Sequence, residues 1–282
     1  MKRRVFPPLL LLMIATAAAP VYAGNIVLTG HDDDFHCSGT DPACVQLGAL
    51  INFARNGSTL PVLTFDAGTE LTSKLPSLGI PFTNVNPNTA SAVTASLFDP
   101  TAYSAFVVAS DTTCGGCDNS AAGEANIAAQ SAAIGAFLNA GGGIVGLAGA
   151  NSANYYAFVP QTASSVGGAP SSGYTQTAAG AAAGIPAVNG DATHNLFFNP
   201  GTNGESAFYQ IAELNTTTGN GTIPAPAAVT LICTDCTVSG GVISGGGGGG
   251  TAVTPEPSSI ILLGSGLMGV AGLLRRRLNL AH

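Results

Sequence analysis

The sequence predicts an α/β body with a mostly parallel sheet and helices on both faces. Apolar runs rich in β-branched residues or glycine alternate with segments whose apolar residues repeat at helical spacing. Such alternation is typical of a parallel sheet, because each parallel strand needs a crossover, usually a helix, before the next. We expect this body to span residues 24–238, with targeting segments at both ends of the chain.

The predicted strands are short apolar runs that end in turn-forming residues. Four of them should form the parallel sheet, at residues 25–29, 60–65, 105–110 and 143–147. Two later runs, 208–214 and 227–233, are expected as late strands that pair antiparallel at an edge. Residues 161–204, between the predicted strands at 143–147 and 208–214, are rich in alanine, serine and glycine and give no clear pattern.

The predicted helices carry apolar stripes with a period near 3.6 residues. The first stripe consists of Val45, Leu47, Leu50, Ile51 and Phe53 with Ala54. The second consists of Ile127, Ile134, Phe137 and Leu138. Three glycines at 141–143 should end the second helix, since glycine is the usual residue just after a helix.

The body is strongly acidic. Between residues 24 and 254 there are 14 acidic residues and only two basic ones, Arg55 and Lys74, so the net charge is −12. Such a surface lacks the basic patch that nucleic-acid binding requires, and an anionic membrane surface would repel it. We therefore expect no nucleic-acid partner.

The N-terminus has the three parts of a secretory signal peptide, at residues 1–23. Lys2, Arg3 and Arg4 precede an apolar stretch, and small residues stand at the cleavage positions before Gly24. Signal peptidase is therefore the expected first partner, with cleavage between Ala23 and Gly24. The body should be exported across the inner membrane.

The C-terminal part has a linker, a short apolar run and a basic cluster. The predicted linker, residues 239–252, is nearly all glycine and serine and should act as a flexible tether. An uncharged run at about 259–274 is just long enough for one transmembrane helix. Arg275, Arg276 and Arg277 follow it and place the C-terminus in the cytoplasm by the positive-inside rule.

Residues 253–282 resemble the PEP-CTERM sorting signal. The resemblance rests on Pro255-Glu256-Pro257, the glycine-containing apolar run and the arginine cluster, in that order. It implies recognition of Pro255, Glu256 and Pro257 by an exosortase, a transient anchor in the inner membrane, and removal of the helix. It also implies a location at the cell surface or outside the cell, and an association with exopolysaccharide.

The body itself resembles the flavodoxin-like fold of class I glutamine amidotransferases, closest to the trehalose-utilisation-protein relatives. The resemblance lies in the runs that begin at Asn25 and at Ala140. Those enzymes carry a cysteine nucleophile in the sharp turn after the second of these strands. Ala148 occupies that place here, so the resemblance implies a fold without the amidotransferase chemistry.

The chain has six cysteines, an even number that in an exported protein predicts disulfides. They are Cys37, Cys44, Cys114, Cys117, Cys233 and Cys236. The simplest pairing joins neighbours in the sequence, although fifteen connectivities are open. Two alternatives are a redox-active pair at Cys114 and Cys117, and a zinc site made from the last four cysteines.

Seven acidic residues follow the predicted parallel strands, at the edge where open α/β sheets bind ligands. They are Asp32, Asp33, Asp34, Asp66, Glu70, Asp111 and Asp118. Five of these are candidate ligands for Ca²⁺, which prefers carboxylate and carbonyl oxygens: Asp32, Asp33, Asp34, Asp66 and Asp111. Tyr155 and Tyr156 would add a stacking surface for a sugar. Alternatively, the acids are solvated on polar loops, with Asp32 or Asp34 capping the next helix.

The body has three histidines, His31, His36 and His194, so a Ser-His-Asp triad stays open, but no nucleophile elbow follows a strand. We therefore expect a non-enzymatic, exosortase-processed surface or extracellular-matrix protein. The alternatives are a divergent hydrolase-like or amidotransferase-like enzyme that uses His31 and nearby acids, and a module that binds a cation or carbohydrate.

Overall fold

A computed structural model describes residues 23–152, 154–161, 163–168, 171–190, 193–201, 207–217 and 219–244. Most of the signal peptide, the sorting motif and the predicted transmembrane run at 259–274 lie outside these residues. Within the described part of the chain, no helix is long and apolar enough to cross a membrane.

The first half of the sheet is parallel and contains five strands. They are β1 (Gly24–Thr29), β2 (Val62–Phe65), β3 (Phe82–Val85), β4 (Ala105–Val108) and β5 (Gly143–Gly146). Their order is β3-β2-β4-β5-β1, with every neighbouring pair parallel. The four predicted parallel strands are therefore confirmed. The prediction missed β3 because Phe82–Val85 is not an apolar run. This strand lies at the edge of the sheet, where its residues are all at least partly exposed.

The strand order differs in connectivity from a flavodoxin-like sheet, whose order is 2-1-3-4-5. Here β1 lies beyond β5 instead of near the centre. If the strands are renumbered from β2, so that β1 becomes the fifth strand, their order is the flavodoxin-like 2-1-3-4-5. The spatial arrangement is thus that of a doubly wound sheet, although the chain enters it at a different strand.

The second half of the sheet is antiparallel, which corrects the prediction of a mostly parallel sheet. Its strands are β6 (Ser165–Gly167), β7 (Tyr174–Gln176), β8 (Asn195–Phe197), β9 (Gln210–Asn215), β10 (Ala227–Ser239) and β11 (Val242–Ser244). The long strand β10 pairs antiparallel with β1 and also with β8, β9 and β11. The expected late strands are β9 and β10, and β10 extends the sheet because β1 would otherwise be an open edge.

Strands β10 and β11 form a hairpin whose turn and second strand lie in the segment predicted as linker. Ser239 pairs with Val242 across a turn in which Gly240 and Gly241 both have positive φ, 62° and 80°. A two-residue hairpin turn of this kind needs left-handed backbone at both positions, which glycine adopts without steric cost. Residues 239–244 therefore belong to the body, which corrects the prediction that the linker starts at residue 239.

Helices cover both faces of the sheet, as the sequence predicts. They are α1 (Asp33–His36), α2 (Pro42–Arg55), α3 (Glu70–Lys74), α4 (Ala121–Ala128), α5 (Ser131–Asn139) and α6 (Ala178–Ala183). On one face, α2 and α3 pack on alternate strand residues such as Val107 and Val145. On the other, α4 and α5 pack on Phe106 and Ile144. Because side chains alternate along a strand, one sheet supplies two cores.

The helix boundaries follow from local chemistry. Helix α2 begins where the Asp41 carboxylate accepts a hydrogen bond from the Cys44 amide at 2.9 Å, with proline at the first helical position. It ends at Asn56, whose φ of 48° is left-handed. Its predicted stripe is buried except for Val45, which is 57% exposed, and Phe53, which is partly buried.

Candidate functional site

The loops after the parallel strands meet at one edge of the sheet, as predicted. Asp34 follows β1 and accepts two hydrogen bonds from Ser110 after β4, from its amide at 2.8 Å and its hydroxyl at 2.6 Å. The Ala148 amide after β5 donates to the His31 carbonyl at 3.1 Å, and the Asp111 amide donates to the Ala148 carbonyl at 2.9 Å. The Asn119 side-chain amide connects the end of β2 to this edge by donating to the Phe65 carbonyl at 2.9 Å. These bonds make the edge a single connected layer.

The acids at this edge are buried, so the expectation of solvated loop carboxylates is wrong for most of them. Asp32, Asp33, Asp66 and Asp111 are each 1% exposed, and Asp34 is fully buried. Burial of a carboxylate is costly unless it is paired, hydrogen-bonded or protonated. Each acid at the edge must therefore be paired, hydrogen-bonded or protonated.

Three of the acids act as hydrogen-bond acceptors for loop backbone. Asp66 accepts from the amides of Gly68 and Thr72 at 3.0 and 2.9 Å. Asp118 accepts from two amides at the start of α3, Thr69 and Glu70, both at 2.8 Å.

Asp111 accepts from the Thr113 amide and the Ser152 hydroxyl, both at 2.8 Å. Three of these carboxylates thus already have structural partners, and Glu70 pairs with Lys74 at 3.6 Å.

Burial also changes the protonation of the acids that follow β1. Burial raises the pKa of Asp34 to about 7, although its hydrogen bonds from Ser110 act in the opposite direction. Burial raises the pKa of Asp33 well above its usual range, while the nearby His31 lowers it. A protonated carboxyl group is the form that tolerates such surroundings.

His31 forms a buried ion pair with Glu213 of β9. The His31 Nε2 and Glu213 Oε2 atoms are 3.2 Å apart, and both side chains are almost completely buried. Burial lowers the pKa of His31, but the attraction and hydrogen bond of Glu213 outweigh it and raise the pKa to about 9. Glu213 also accepts from Gln46, Val188 and Thr230. A protonated imidazole has no lone pair with which to act as a base, so this pair reads as a structural one.

The structure brings two histidines to Asp32. The Asp32 Oδ2 atom lies 3.4 Å from His36 Nε2 and 3.1 Å from His194 Nε2. The three side chains offer ligand atoms that all lie within 4.8 Å of one another. Asp32 is buried, whereas the side chains of His36 and His194 are 34% and 24% exposed. The cluster is therefore anchored in the body and open on its histidine side.

Different elements supply the two histidines. His36 is the last residue of α1, four residues after Asp32, so one helical turn places it beside the carboxylate. His194 precedes β8, and its amide donates to the Gly30 carbonyl at 2.7 Å. A side chain on residue 30 would collide with the Asn195 carbonyl, so glycine is needed for this close approach.

Asp32 is one of the predicted cation ligands, but His36 and His194 are not among them. The spacing of Asp32 and His36 is a local signal that would have indicated this pair. No sequence pattern points to His194, because the pairing of β8 with β10 brings it to the site. Of the five predicted Ca²⁺ ligands, Asp32 alone belongs to the cluster with the two histidines.

All six cysteines form local disulfides: Cys37–Cys44, Cys114–Cys117 and Cys233–Cys236. The first joins the end of α1 to α2, and the second lies beside Asp32, with Cys117 Sγ 3.7 Å from its Oδ2 atom. Cys233 and Cys236 pair with Ile26 and Gly24 near the start of β1, at the opposite sheet edge. The alternative of a zinc site from four cysteines is therefore wrong.

These pairings predict the thiol count of the exported protein. Unreduced protein should take up no alkylating reagent, since all six cysteines are in disulfides. After reduction under denaturing conditions it should take up six equivalents, as read by intact mass. Labelling of the unreduced protein, denatured to expose buried thiols, would contradict the assignment.

Tyr155 and Tyr156 do not form the predicted sugar platform. Each is 1% exposed and belongs to the core on the α4 and α5 face. The Tyr156 hydroxyl donates to the Thr29 carbonyl at 2.8 Å, and the Tyr155 hydroxyl donates to the Ala109 carbonyl. Their hydroxyls thus satisfy strand-end carbonyls, as buried tyrosines require.

Ala148 lies in the turn after β5, where the amidotransferase resemblance places the nucleophile. It is fully buried, and its amide is within 3.1 Å of both the His31 carbonyl and the Ser110 hydroxyl. Ala150 has a positive φ of 44°. The sharp turn is present, but the side chain at its centre is a methyl group.

Comparisons with known proteins identify the C-terminal region. Residues 253–277 match the family model of the PEP-CTERM protein-sorting motif. The match supports an exosortase-processed secreted protein, and it is consistent with export and a membrane-anchored precursor that is later processed. Exosortase is the processing partner that the motif implies.

The comparisons say less about the body. No curated protein matches the chain. A solved structure of IMPa from Pseudomonas aeruginosa, in complex with an O-glycopeptide, is similar over 44% of this chain and 13% of that chain, at 20% identity and a TM-score of 0.28. The chain thus spans a small part of that protein's length, and a likeness this low carries no argument. The amidotransferase resemblance finds no support in these comparisons.

Proposed function

We propose that this protein is a non-enzymatic surface or extracellular-matrix protein, associated with exopolysaccharide after exosortase processing. The observation that carries the proposal is the sorting motif at residues 253–277, which follows a glycine-rich linker. The motif retains the precursor at the inner membrane, and removal of the helix releases the body.

The properties of the body support a role outside the cell. Its three disulfides suit an oxidising compartment outside the cytoplasm, because disulfides form and persist there. With only Arg55 and Lys74 as basic residues, the body has no basic patch with which to adhere to anionic membrane lipids. The place of an amidotransferase nucleophile is taken by Ala148, and His31 is held in a buried ion pair.

The proposal predicts that Glu256 is required for processing. Replacement of Glu256 by alanine should leave the precursor uncut, because an exosortase reads Pro255-Glu256-Pro257. The mass of the surface-associated form should then include the apolar run and the arginine cluster. Ser258→Ala, one residue beyond the motif, is the matched control and should be processed normally. Normal processing of the Glu256 variant would make the C-terminus an ordinary tail anchor.

A further inference from the structure

We propose that Asp32, His36 and His194 form a binding site for a divalent transition-metal ion of the zinc class. The site goes beyond the proposed surface role, because exosortase processing does not depend on it. It combines one carboxylate with two imidazoles from three separate positions of the fold.

The distances within the cluster suit a tetrahedral metal ion. Zinc binds imidazole nitrogen and carboxylate oxygen at about 2.0–2.2 Å, so tetrahedral ligand atoms lie about 3.3–3.5 Å apart. The two measured separations from Asp32 Oδ2, 3.4 Å to His36 and 3.1 Å to His194, are close to this edge length. The third separation, between the ligand atoms of the two histidines, is at most 4.8 Å, so the histidine side chains must move closer to seat an ion among the three atoms.

The charge of the surroundings favours a cation. Asp32 is 1% exposed, and among the described residues its Oδ1 atom has no hydrogen-bond partner. The two basic residues of the body, Arg55 and Lys74, are engaged elsewhere, with Leu60 and Glu70 respectively. A bound metal ion would neutralise the buried Asp32 carboxylate.

Two disulfides lie beside two of the proposed ligands, His36 and Asp32. The Cys37–Cys44 bridge fixes the end of α1, and with it His36, against α2. The Cys114–Cys117 bridge closes the loop beside Asp32. Ligands that are already held in place lose less conformational entropy when a metal ion binds. Sulfur atoms in a disulfide lack the thiolate that coordinates zinc, so the cysteines support the site but do not join it.

The donor set favours zinc over calcium. Ca²⁺ takes six to eight oxygen ligands, whereas this cluster offers two nitrogens and one carboxylate. Three protein ligands leave one tetrahedral position, which the exposed histidine side opens to solvent. Water or a ligand oxygen would complete the coordination.

The test is a zinc titration of the processed, metal-stripped protein, read by calorimetry and by the melting temperature. We expect one equivalent of Zn²⁺ to bind with a Kd of about 10 μM or tighter, and the melting temperature to rise by mass action. Ca²⁺ at the same concentration should give no shift. His36→Ala and His194→Ala should each weaken zinc binding more than about 100-fold, since even loss of an outer-shell partner costs 10–100-fold.

Phe35→Ala is the matched control, because Phe35 is 40% exposed and its ring contacts His36 without offering a ligand. This variant should bind zinc like the wild type. Both histidine variants should keep the wild-type far-ultraviolet circular dichroism, since the two side chains are partly exposed. Absence of zinc binding, or binding that survives both histidine substitutions, would overturn the site and leave the cluster as histidine–carboxylate ion pairs.

Discussion

Replacing Phe106 with alanine should lower the free energy of unfolding by about 3–5 kcal/mol, the range for phenylalanine-to-alanine changes in a core. Phe106 lies on the central strand β4 and is fully buried. Its ring centroid lies 5.3–6.1 Å from those of four other phenylalanines: Phe65, Phe98, Phe137 and Phe158. The substitution removes all four ring contacts and leaves a cavity that rigid neighbours cannot fill.

Urea unfolding with the disulfides intact measures the effect, read as a shift in the midpoint at unchanged slope. Phe35→Ala is again the control, since the same side chain is removed from a surface position. We expect that change to cost within about 0.5 kcal/mol. Equal losses for Phe106 and Phe35 would mean that the aromatic cluster does not form the core of this face.

Replacing Glu124 with glutamine should stabilise the protein above the usual pKa of glutamate, by an amount that grows with pH. Glu124 lies in α4 and is 4% exposed, and neither carboxylate oxygen has a hydrogen-bond partner among the described residues. Burial raises its pKa well above its usual range, and the nearby Asp111 adds to the shift. The folded protein therefore keeps a proton on Glu124 that the unfolded chain releases.

The sign follows from proton linkage. Above the usual pKa, the unfolded state binds fewer protons at this position, so the stability of the wild type falls as pH rises. For one proton the loss is at most about 1.4 kcal/mol per pH unit, up to the pKa of the folded state. Glutamine carries no proton to lose, so the difference between variant and wild type should widen from pH 4.5 towards pH 7.

Denaturant unfolding of both proteins at several pH values gives this difference directly. Glu70→Gln is the control, because the Glu70 carboxylate is partly exposed and pairs with Lys74 on the surface. Its difference from wild type should change little over the same range, since surface ion pairs contribute about 0–1 kcal/mol. A Glu124 difference that is flat with pH would show that this carboxyl group is ionised in the folded protein.

The sequence determined the features of this protein that depend on local pattern. The sorting motif, the parallel strands and the local spacing of the cysteines are all readable from short segments. The shared edge of the strand-end loops also follows, because parallel strands must end on the same side. The spacing of Asp32 and His36 belongs to this class, since one helical turn joins them.

Only the tertiary structure decided which distant segments meet. The registers of β1, β8 and β9 against β10 bring His194 to Asp32 and Glu213 to His31. That register is chosen by burial of whole apolar faces, which no short segment encodes. The same packing buries Tyr155, Tyr156 and the strand-end acids, although each sits in a sequence that reads as polar loop. Local pattern sets which elements form, and the burial of their shared surfaces sets which side chains become a site.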